Sequence, residues 1–585
     1  MMDALDSAIA NTQAHLDALR NASGHWEGRL SSSALSTATA IVALGLVDRD
    51  RHAVHVADGA HWLCDHQNAD GGWGDTTLSK SNLSTTLLCW SALHLVGRRN
   101  SPTVESANVW ISAQVGSLEP AAIARAVVSR YGKDKTFSVP ILMLCALCGT
   151  LGEKPWKHVI ALPFELAALP RTWFGAVGLP VVSYALPALI AIGYTRFKNA
   201  PPAWWNPLRW LRALTWPRIR PMLKALQPSS GGYLEATPLT SFVTMALAGG
   251  GQLDHPCLPL AVEFLVGSKR EDGSWPIDTN LATWGTTLSL RSSDQNSDGL
   301  LRSREANPEL RTWLLAQQYR EVHPFTNAPP GGWAWTDLPG GVPDADDTSS
   351  ALIALKKIGH ACDAAIEQGI TWLLDLQNRD GGVPTFCSGW GTLPFDRSTP
   401  EITAHALCAW WVWHDDVPLV LQKRIAKATE HALSYLKRVQ LAEGSWIPLW
   451  FGNEHTPDEN NPVYGTAQVV NHLSGSAKLA SQFDVLIRSG QQYLRSAQKS
   501  DGSFGGDANA PASIEETAVA LLALGSEGPN MQSGIQWLIA ATENGTRFPT
   551  APIGLYFARL WYHEQLYPVV WTLGALKAAR RRLGC

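Results

Sequence analysis

The sequence predicts an all-α protein, an array of helical hairpins with their loops gathered at one end. Three observations predict it. Apolar residues recur at helical spacing, as in AAIEQGITWLLDLQ, while strand-like alternation is scarce. One unit recurs along the chain: an apolar stretch with an aromatic, often a Gln, then an acidic residue, Gly, a small residue and an aromatic. After each copy comes another apolar helix led by Ser, Thr or Asp, residues that suit a helix N-cap.

Composition sets the bounds. With 585 residues the chain exceeds one compact domain, so two or more are expected. A hydrophobic share of 45% against 17% charged lets it bury a large core, which excludes general disorder. The net charge of -4 excludes a globally basic nucleic-acid binder. The 26 Trp against 11 Tyr and 14 Phe put indole rings to use in bulk, for packing, membrane contact or cation stabilisation. Of nine cysteines only Cys145 and Cys148 form a CxxC, inside the apolar run ILMLCALC. Nothing completes a tetrahedral ligand set around them, so they read as buried thiols and no metal site is expected. The start MMDALDSAIANTQ lacks a cationic region before an apolar core, so no secretory signal is expected and cytoplasmic residence is.

Along the chain, Gly24-His25-Trp26 reads as a first fragment of the repeat. Trp62, Gln67 and Trp73 make the clearest copy, HWLCDHQNADGGWGD. Further copies end at Trp275, at Trp446 after Gln440, and at Phe504 after Gln498. The copy with Gln377 puts Val383 where the aromatic belongs, and a worn copy surrounds Trp537. In each, Gly stops the helix, and the aromatic is expected to fold back on the Gln amide and the next helix end.

Residues 172–195 carry no charge and have bilayer-spanning length, but Pro180, Pro187 and many small residues favour a buried or partly inserted helix. Seven Lys/Arg and no acidic residue follow before Gln227, interleaved with Trp204, Trp205, Trp210 and Trp216. Cations among indoles describe a segment lying on anionic lipid. A basic aromatic patch for nucleic acid is the rival reading, and the lipid reading is preferred.

Chemistry enters at PDADDTSSALIAL, where Asp344, Asp346 and Asp347 precede an apolar helix. Acidic residues favour a helix N-terminus, so one reading is capping. Three carboxyls in four residues exceed what a cap needs, and their crowding raises at least one pKa. A carboxyl kept protonated in an apolar cavity is a Brønsted acid strong enough for alkene chemistry, the second reading. PEITAHALCAW then places Glu401, Thr403 and His405 on one helix, Glu401 one turn before His405. A lone His on an apolar helix is more often a satisfied core residue.

The repeat and these motifs resemble the squalene–hopene cyclase and oxidosqualene cyclase family over nearly the whole chain. The repeat is similar to that family's QW motif, and DADDT to the DxDD motif of class II terpene cyclases. The resemblance implies two α/α barrels, the second inserted near the start of the first. Residues 1–20 would pack on the catalytic barrel, 21–280 would form the inserted barrel with a membrane-contacting segment near 172–225, and 281–585 the catalytic barrel. It implies Asp346 as the proton donor flanked by Asp344 and Asp347, with a protonated His405 holding Asp346 and Glu401 keeping His405 charged. Trp284, Trp335, Phe386, Trp450, Tyr464, Tyr556 and Phe557 match cation-lining positions. Aromatic faces stabilise a cation by roughly 0.5–2 kcal/mol each without reacting. At the far end of the cavity, where water ends the cascade in hopene-forming members, the matches are Ser36 or Thr37, Leu88 and Glu235. Only Glu235 keeps a strongly polar group there, and EHTPDENN is inserted at 454–461.

The expectation is therefore a class II triterpene cyclase acting on squalene or a similar linear polyprenoid, with no cofactor and no nucleic-acid partner. It would be monotopic on the inner face of the cell membrane, and the family includes homodimers. The first alternative is a class II cyclase for a prenyl diphosphate or meroterpenoid, which would want a cationic or magnesium site at the cavity mouth. The second is a non-catalytic or prenyltransferase-like barrel, for which no convincing zinc set is visible.

Overall fold

The computed structural model describes Met2–Leu583 apart from residues 133, 171–172, 174–185, 293–307, 325, 390, 392, 526–528 and 556–558. The described residues form two rings of inner helices, each wrapped by outer helices. Ala34–Val47, Leu83–Leu95, Lys135–Leu147, Leu186–Asn199 and Thr237–Gly249 stand side by side, and the last closes on the first. Ala282–Ser292, Ala345–Lys357, Pro400–Trp413, Pro462–Leu473, Ile514–Leu524 and Leu566–Leu583 close a second ring. The N-terminal helix Met2–Ala18 packs outside this second ring, against Leu566–Leu583.

The sequence pattern decides which helices are inner. Ala34–Val47 buries an unbroken run from Ser36 to Leu44, small or apolar and uncharged on every side, and has no charged face to give to water. Asp484–Ala497 buries Leu486, Ile487, Gly490, Leu494 and Ala497, a single stripe, and lies outside. Each ring has its own buried cluster, one drawn from Ala34–Trp275 and one from Leu5–Ala579 without that span. Where the chain passes into the first ring and returns, Ser32–Ser33 pairs antiparallel with Trp275–Pro276.

The repeat is a hydrogen-bonded stitch. Its Gln amide donates to a carbonyl of its own turn and to one on the next outer helix or its cap: Gln67 to Gly71 and Thr103, Gln498 to Gly502 and Asn530. The indole N–H returns to the preceding outer helix, from Trp73 to Leu63, Trp275 to Leu265 and Trp446 to Leu436. The backbone N–H of the aromatic donates to a Thr on an inner helix, at 3.0 Å for Trp73–Thr86, Trp275–Thr37 and Trp446–Thr466. Trp26 makes the same pair of bonds, to Leu16 and Thr286, so the N-terminal fragment is a working copy. Gln227–Tyr233, which keeps the spacing but lacks the acidic residue, and Gln318–Trp333, with a longer loop, are copies that the sequence pattern misses. The Thr of DADDT (Thr348, to Trp333) and Thr403 (to Val383) belong to this stitch.

The segment 172–195 is described only at Trp173 and from Leu186 onward. Leu186–Asn199 is an inner helix, and no described helix is long and apolar enough to cross a membrane. In Pro207–Ala225 the basic aromatic stretch divides. Trp204, Trp205, Trp210 and Leu214 are 60–76% exposed. Trp216 is buried and stacks on Tyr194, and Arg212 is buried in a bidentate pair with Glu165. These last two are therefore core residues: the Tyr194 ring covers the indole, and the Glu165 carboxylate compensates the buried guanidinium.

Candidate active site

Asp344 caps Ala345–Lys357, its side chain accepting from the Asp347 N–H at 2.8 Å. The capping reading thus holds for Asp344. Asp346 and Asp347 occupy the first turn, and their side chains diverge. Asp344 and Asp347 are 3% and 5% exposed, whereas the Asp346 side chain is 24% exposed and faces a cavity. Burial raises all three carboxyls, and mutual repulsion adds for Asp344 and Asp347. Asp346 is pushed up to about 7 by burial, against the pull of the Arg291 cation.

The cavity, about 470 Å³, follows the axis of the second ring and takes residues from all six inner helices. Near the helix N-termini it is aromatic: Trp284, Trp450, Phe451 and Tyr464 surround Asp346 and Glu401, with Trp571 beside Tyr464. Toward the C-termini it is polar, with Arg291, Lys357, Asn471, His472 and Arg581. The aromatic end is held by its own contacts. Trp284 donates to the Tyr567 hydroxyl at 3.2 Å, Tyr562 and Tyr567 hydroxyls meet at 2.9 Å, and Tyr567 stacks on Trp571 at 4.8 Å.

His405 Nδ1 lies 2.5 Å from Asp346 Oδ1. Its Nε2 lies 2.8 Å from Arg291 Nη1, and Arg291 Nη2 lies 2.8 Å from His472 Nε2. Guanidinium only donates, so both Nε2 atoms accept and the hydrogen of His405 sits on Nδ1, pointing at Asp346. This corrects the expected protonated His405: burial and the Arg291 charge push the imidazole well below its ordinary range, and it is neutral. Glu401 is corrected with it. Its carboxyl accepts from Leu449 N–H at 2.9 Å, Trp450 N–H at 3.4 Å and the Thr399 hydroxyl, and not from His405. Burial raises Glu401 to about 7, so it lines the cavity next to the acid without charging the imidazole.

The structure brings together Asp346, His405, Glu401, Trp284, Trp450 and Tyr464 of the expected set. Trp335 and Phe386 sit in an adjoining apolar patch with Val342, Phe395 and Leu234, which reaches Trp450. Tyr556 and Phe557 lie outside the described residues. Glu235 does not line this cavity: it accepts from Ser230 at 2.6 Å and from the Gly340 N–H at 2.7 Å, tying one ring to the loop before Asp344. Thr37 is spent on the Trp275 stitch, and Ser36 and Leu88 are buried in the first ring. None of these residues lines the cavity around Asp346. Sequence reasoning missed Arg291, His472, Tyr562, Tyr567 and Trp571. Arg291 and His472 left one trace, a basic residue near the end of an inner helix that carries no other.

The family model described as the squalene-hopene cyclase N-terminal domain matches residues 9–185, and the C-terminal domain model matches 281–581. A probable squalene–hopene cyclase of Sinorhizobium fredii is 24% identical, covering 99% of this chain and 97% of that protein. A terpene cyclase–glycosyl transferase fusion protein of Humicola fuscoatra is 24% identical over 91% of this chain, which spans 46% of that longer protein. Among solved structures, ent-copalyl diphosphate synthase from Streptomyces platensis shares the fold, with a TM-score of 0.53, 19% identity, and coverage of 97% and 99%.

Proposed function

The chain belongs to the squalene–hopene cyclase family, and on that premise we propose that it is a class II triterpene cyclase with Asp346 as its acid. The proton of the Asp346 carboxyl passes to a terminal double bond of squalene or a similar linear polyprenoid. The alkene π pair forms the new C–H bond, Asp346 becomes a carboxylate, and the tertiary cation is closed on by successive double bonds. Trp284, Trp450, Phe451 and Tyr464 hold electron density beside the acid and offer the cation no nucleophile. Ordering the chain before protonation removes its entropy in advance, and exclusion of water prevents early quenching. Proton loss or capture of water ends the cascade, and solvent restores the proton of Asp346.

One observation carries this reading. Asp346 alone of its trio opens on the aromatic cavity, and burial keeps it protonated up to about pH 7. The test is to incubate detergent-solubilised protein with squalene and analyse extracts by gas chromatography–mass spectrometry, with D346N as control. A cyclic product that disappears in D346N supports the reading; an undiminished product in D346N sinks it. The cationic end of the cavity favours a second reading, a prenyl diphosphate substrate. Turnover of geranylgeranyl diphosphate without turnover of squalene would select it.

The exposed Trp204, Trp205, Trp210 and Leu214, with Arg218 among them, support contact with the inner face of the membrane. Sedimentation with anionic vesicles tests this: a W204A/W205A/W210A variant that sediments as the parent does would refute it.

A further inference from the structure

We infer that Arg291 is a positioning residue of the proton donor: it fixes His405 as a neutral donor to Asp346 and supplies the standing positive charge that faces Asp346 once its proton has left. This inference rests on the cyclase reading above and adds a residue to it.

The Arg291 guanidinium is half-buried at the end of Ala282–Ser292. Its hydrogen bonds run to the Nε2 atoms of His405 and His472, at 2.8 Å each, and to the Ser350 hydroxyl at 3.3 Å. Among the described residues it forms no ion pair with a carboxylate. Arginine stays charged in any such setting, so a full positive charge stands one imidazole away from Asp346. The two imidazoles stack at 4.1 Å and 17°, which fixes the plane of the fork. Lys357 donates to the Arg291 carbonyl and Ser350 to Thr287, so the segment carrying the guanidinium is itself tied down.

The consequence for the reaction is differential. Before transfer the row is a neutral carboxyl, a neutral imidazole and an unbalanced cation. After transfer it is a carboxylate, a neutral imidazole donating to it, and the same cation, now balanced across about one ring width. The arrangement stabilises the state after proton loss more than the state before, and only such an interaction lowers the barrier. It also answers how a carboxyl raised by burial can remain a strong donor, since desolvation keeps it protonated and Arg291 draws it toward ionisation. With Arg291 on Nε2, His405 cannot turn its lone pair toward Asp346.

The other groups around Asp346 do not supply this charge. Its own turn offers Asp344 and Asp347. Pro400–Trp413 offers Glu401, a neutral His405 and Cys408, and Pro462–Leu473 offers Tyr464 and a neutral His472. Tyr562, on the strand Leu560–Tyr562, feels Asp347, and Lys357 and Arg581 lie at the far end of the cavity.

The test compares Arg291→Gln and Arg291→Lys with the parent in squalene turnover across about pH 5 to about pH 9, reading kcat and KM separately. Removing the cation raises the pKa of Asp346, and activity needs its protonated form. The alkaline limb of R291Q therefore moves up by about one pH unit while its plateau kcat falls ~10–100-fold and KM changes less than ~3-fold. R291K returns the limb to the parental position. A structural role alone would lower kcat or melting temperature and leave the limb in place. A limb that stays put or moves down in R291Q overturns the inference, as does a loss confined to KM. Should R291Q not fold, Ser350→Asp gives Arg291 a carboxylate instead, and the same upward shift is expected; an unshifted limb there overturns it equally. Residual turnover in D346N equal to the parent would instead defeat the cyclase reading itself, whatever the Arg291 variants do.

Discussion

The two rings share one scaffold and differ in what they enclose. In the first, the inner helices meet through Ala38, Ile41, Leu88, Leu142, Ala191 and Met245, all 0–1% exposed. Hydroxyls such as Thr195 and Thr244 return to backbone carbonyls of their own helices. In the second, the axis is hollow and carries Arg291, Asp346, Glu401, His405 and His472. The same stitch of Gln, aromatic and Thr builds both. Stability therefore does not require charged groups inside a ring. Among the described residues the first ring's buried ion pair, Arg212–Glu165, joins outer segments, whereas in the second ring the charged groups face the axial cavity, crowded and displaced from ordinary protonation, which marks where structure has been traded for chemistry.

The most severe break of this contrast is D346N. Squalene turnover should fall by at least about 10³-fold, the upper range for a positioned acid. Its melting temperature should hold or rise, because a buried titrating carboxyl is removed. A D346N protein that melts earlier than the parent would place Asp346 among the structural residues.

The next effect is pH. Asp346 and Glu401 are raised to about 7, and Glu515 and Glu564, also in the second ring and its loops, to about 8, all chiefly by burial. A carboxyl raised above its unfolded value of about 4 binds its proton more tightly when folded. The stability it contributes is complete below about pH 4 and is lost as pH rises through 7 to 8. Hydrogen exchange should therefore speed up between pH 6 and pH 8.5 in Ala345–Lys357 and Ile514–Leu524, after correction for intrinsic rates, and more than in Ala34–Val47 (bracketing pH values set about the pKa range). Equal change in both rings would erase the contrast.

A smaller effect sharpens the other side. Leu142→Ala, in the buried core of the first ring, should cost about 2–5 kcal/mol in denaturant unfolding and leave the plateau kcat of the remaining folded enzyme within about two-fold. A tenfold loss of kcat would mean that the first ring shapes the reaction directly.

The smallest tests what the rings share. Thr37→Val and Thr466→Val each orphan the N–H of a buried Trp, in the first and second ring respectively. Each should cost about 1–3 kcal/mol, and the two costs should agree within about 1 kcal/mol. Unequal losses would show that the stitch is not the same device in both.

What could be read in the chain follows from the range of the forces involved. Helical periodicity, Gly stops and the repeat are local, so Trp73, Trp275 and Trp446 announced their turns, and the crowding of Asp344, Asp346 and Asp347 was visible in four consecutive residues. Local rules also set limits. A copy with a longer loop, Gln318–Trp333, escaped because its bonds close over a spacing the rule did not contain. The family resemblance placed Glu401 beside His405 by their helical spacing. Packing gave Glu401 instead to the Leu449 and Trp450 amides and brought Arg291 to the imidazole from 114 residues away.

By itself the sequence determined the all-α class, the repeat and the acidic turn, because each is written in residues a few positions apart. Only the tertiary structure decided which of three aspartates opens on a cavity, that His405 is neutral, and that a distant arginine stands behind it. Protonation and exposure depend on desolvation and on charges brought together by ring closure, and neither has a fixed distance along the chain.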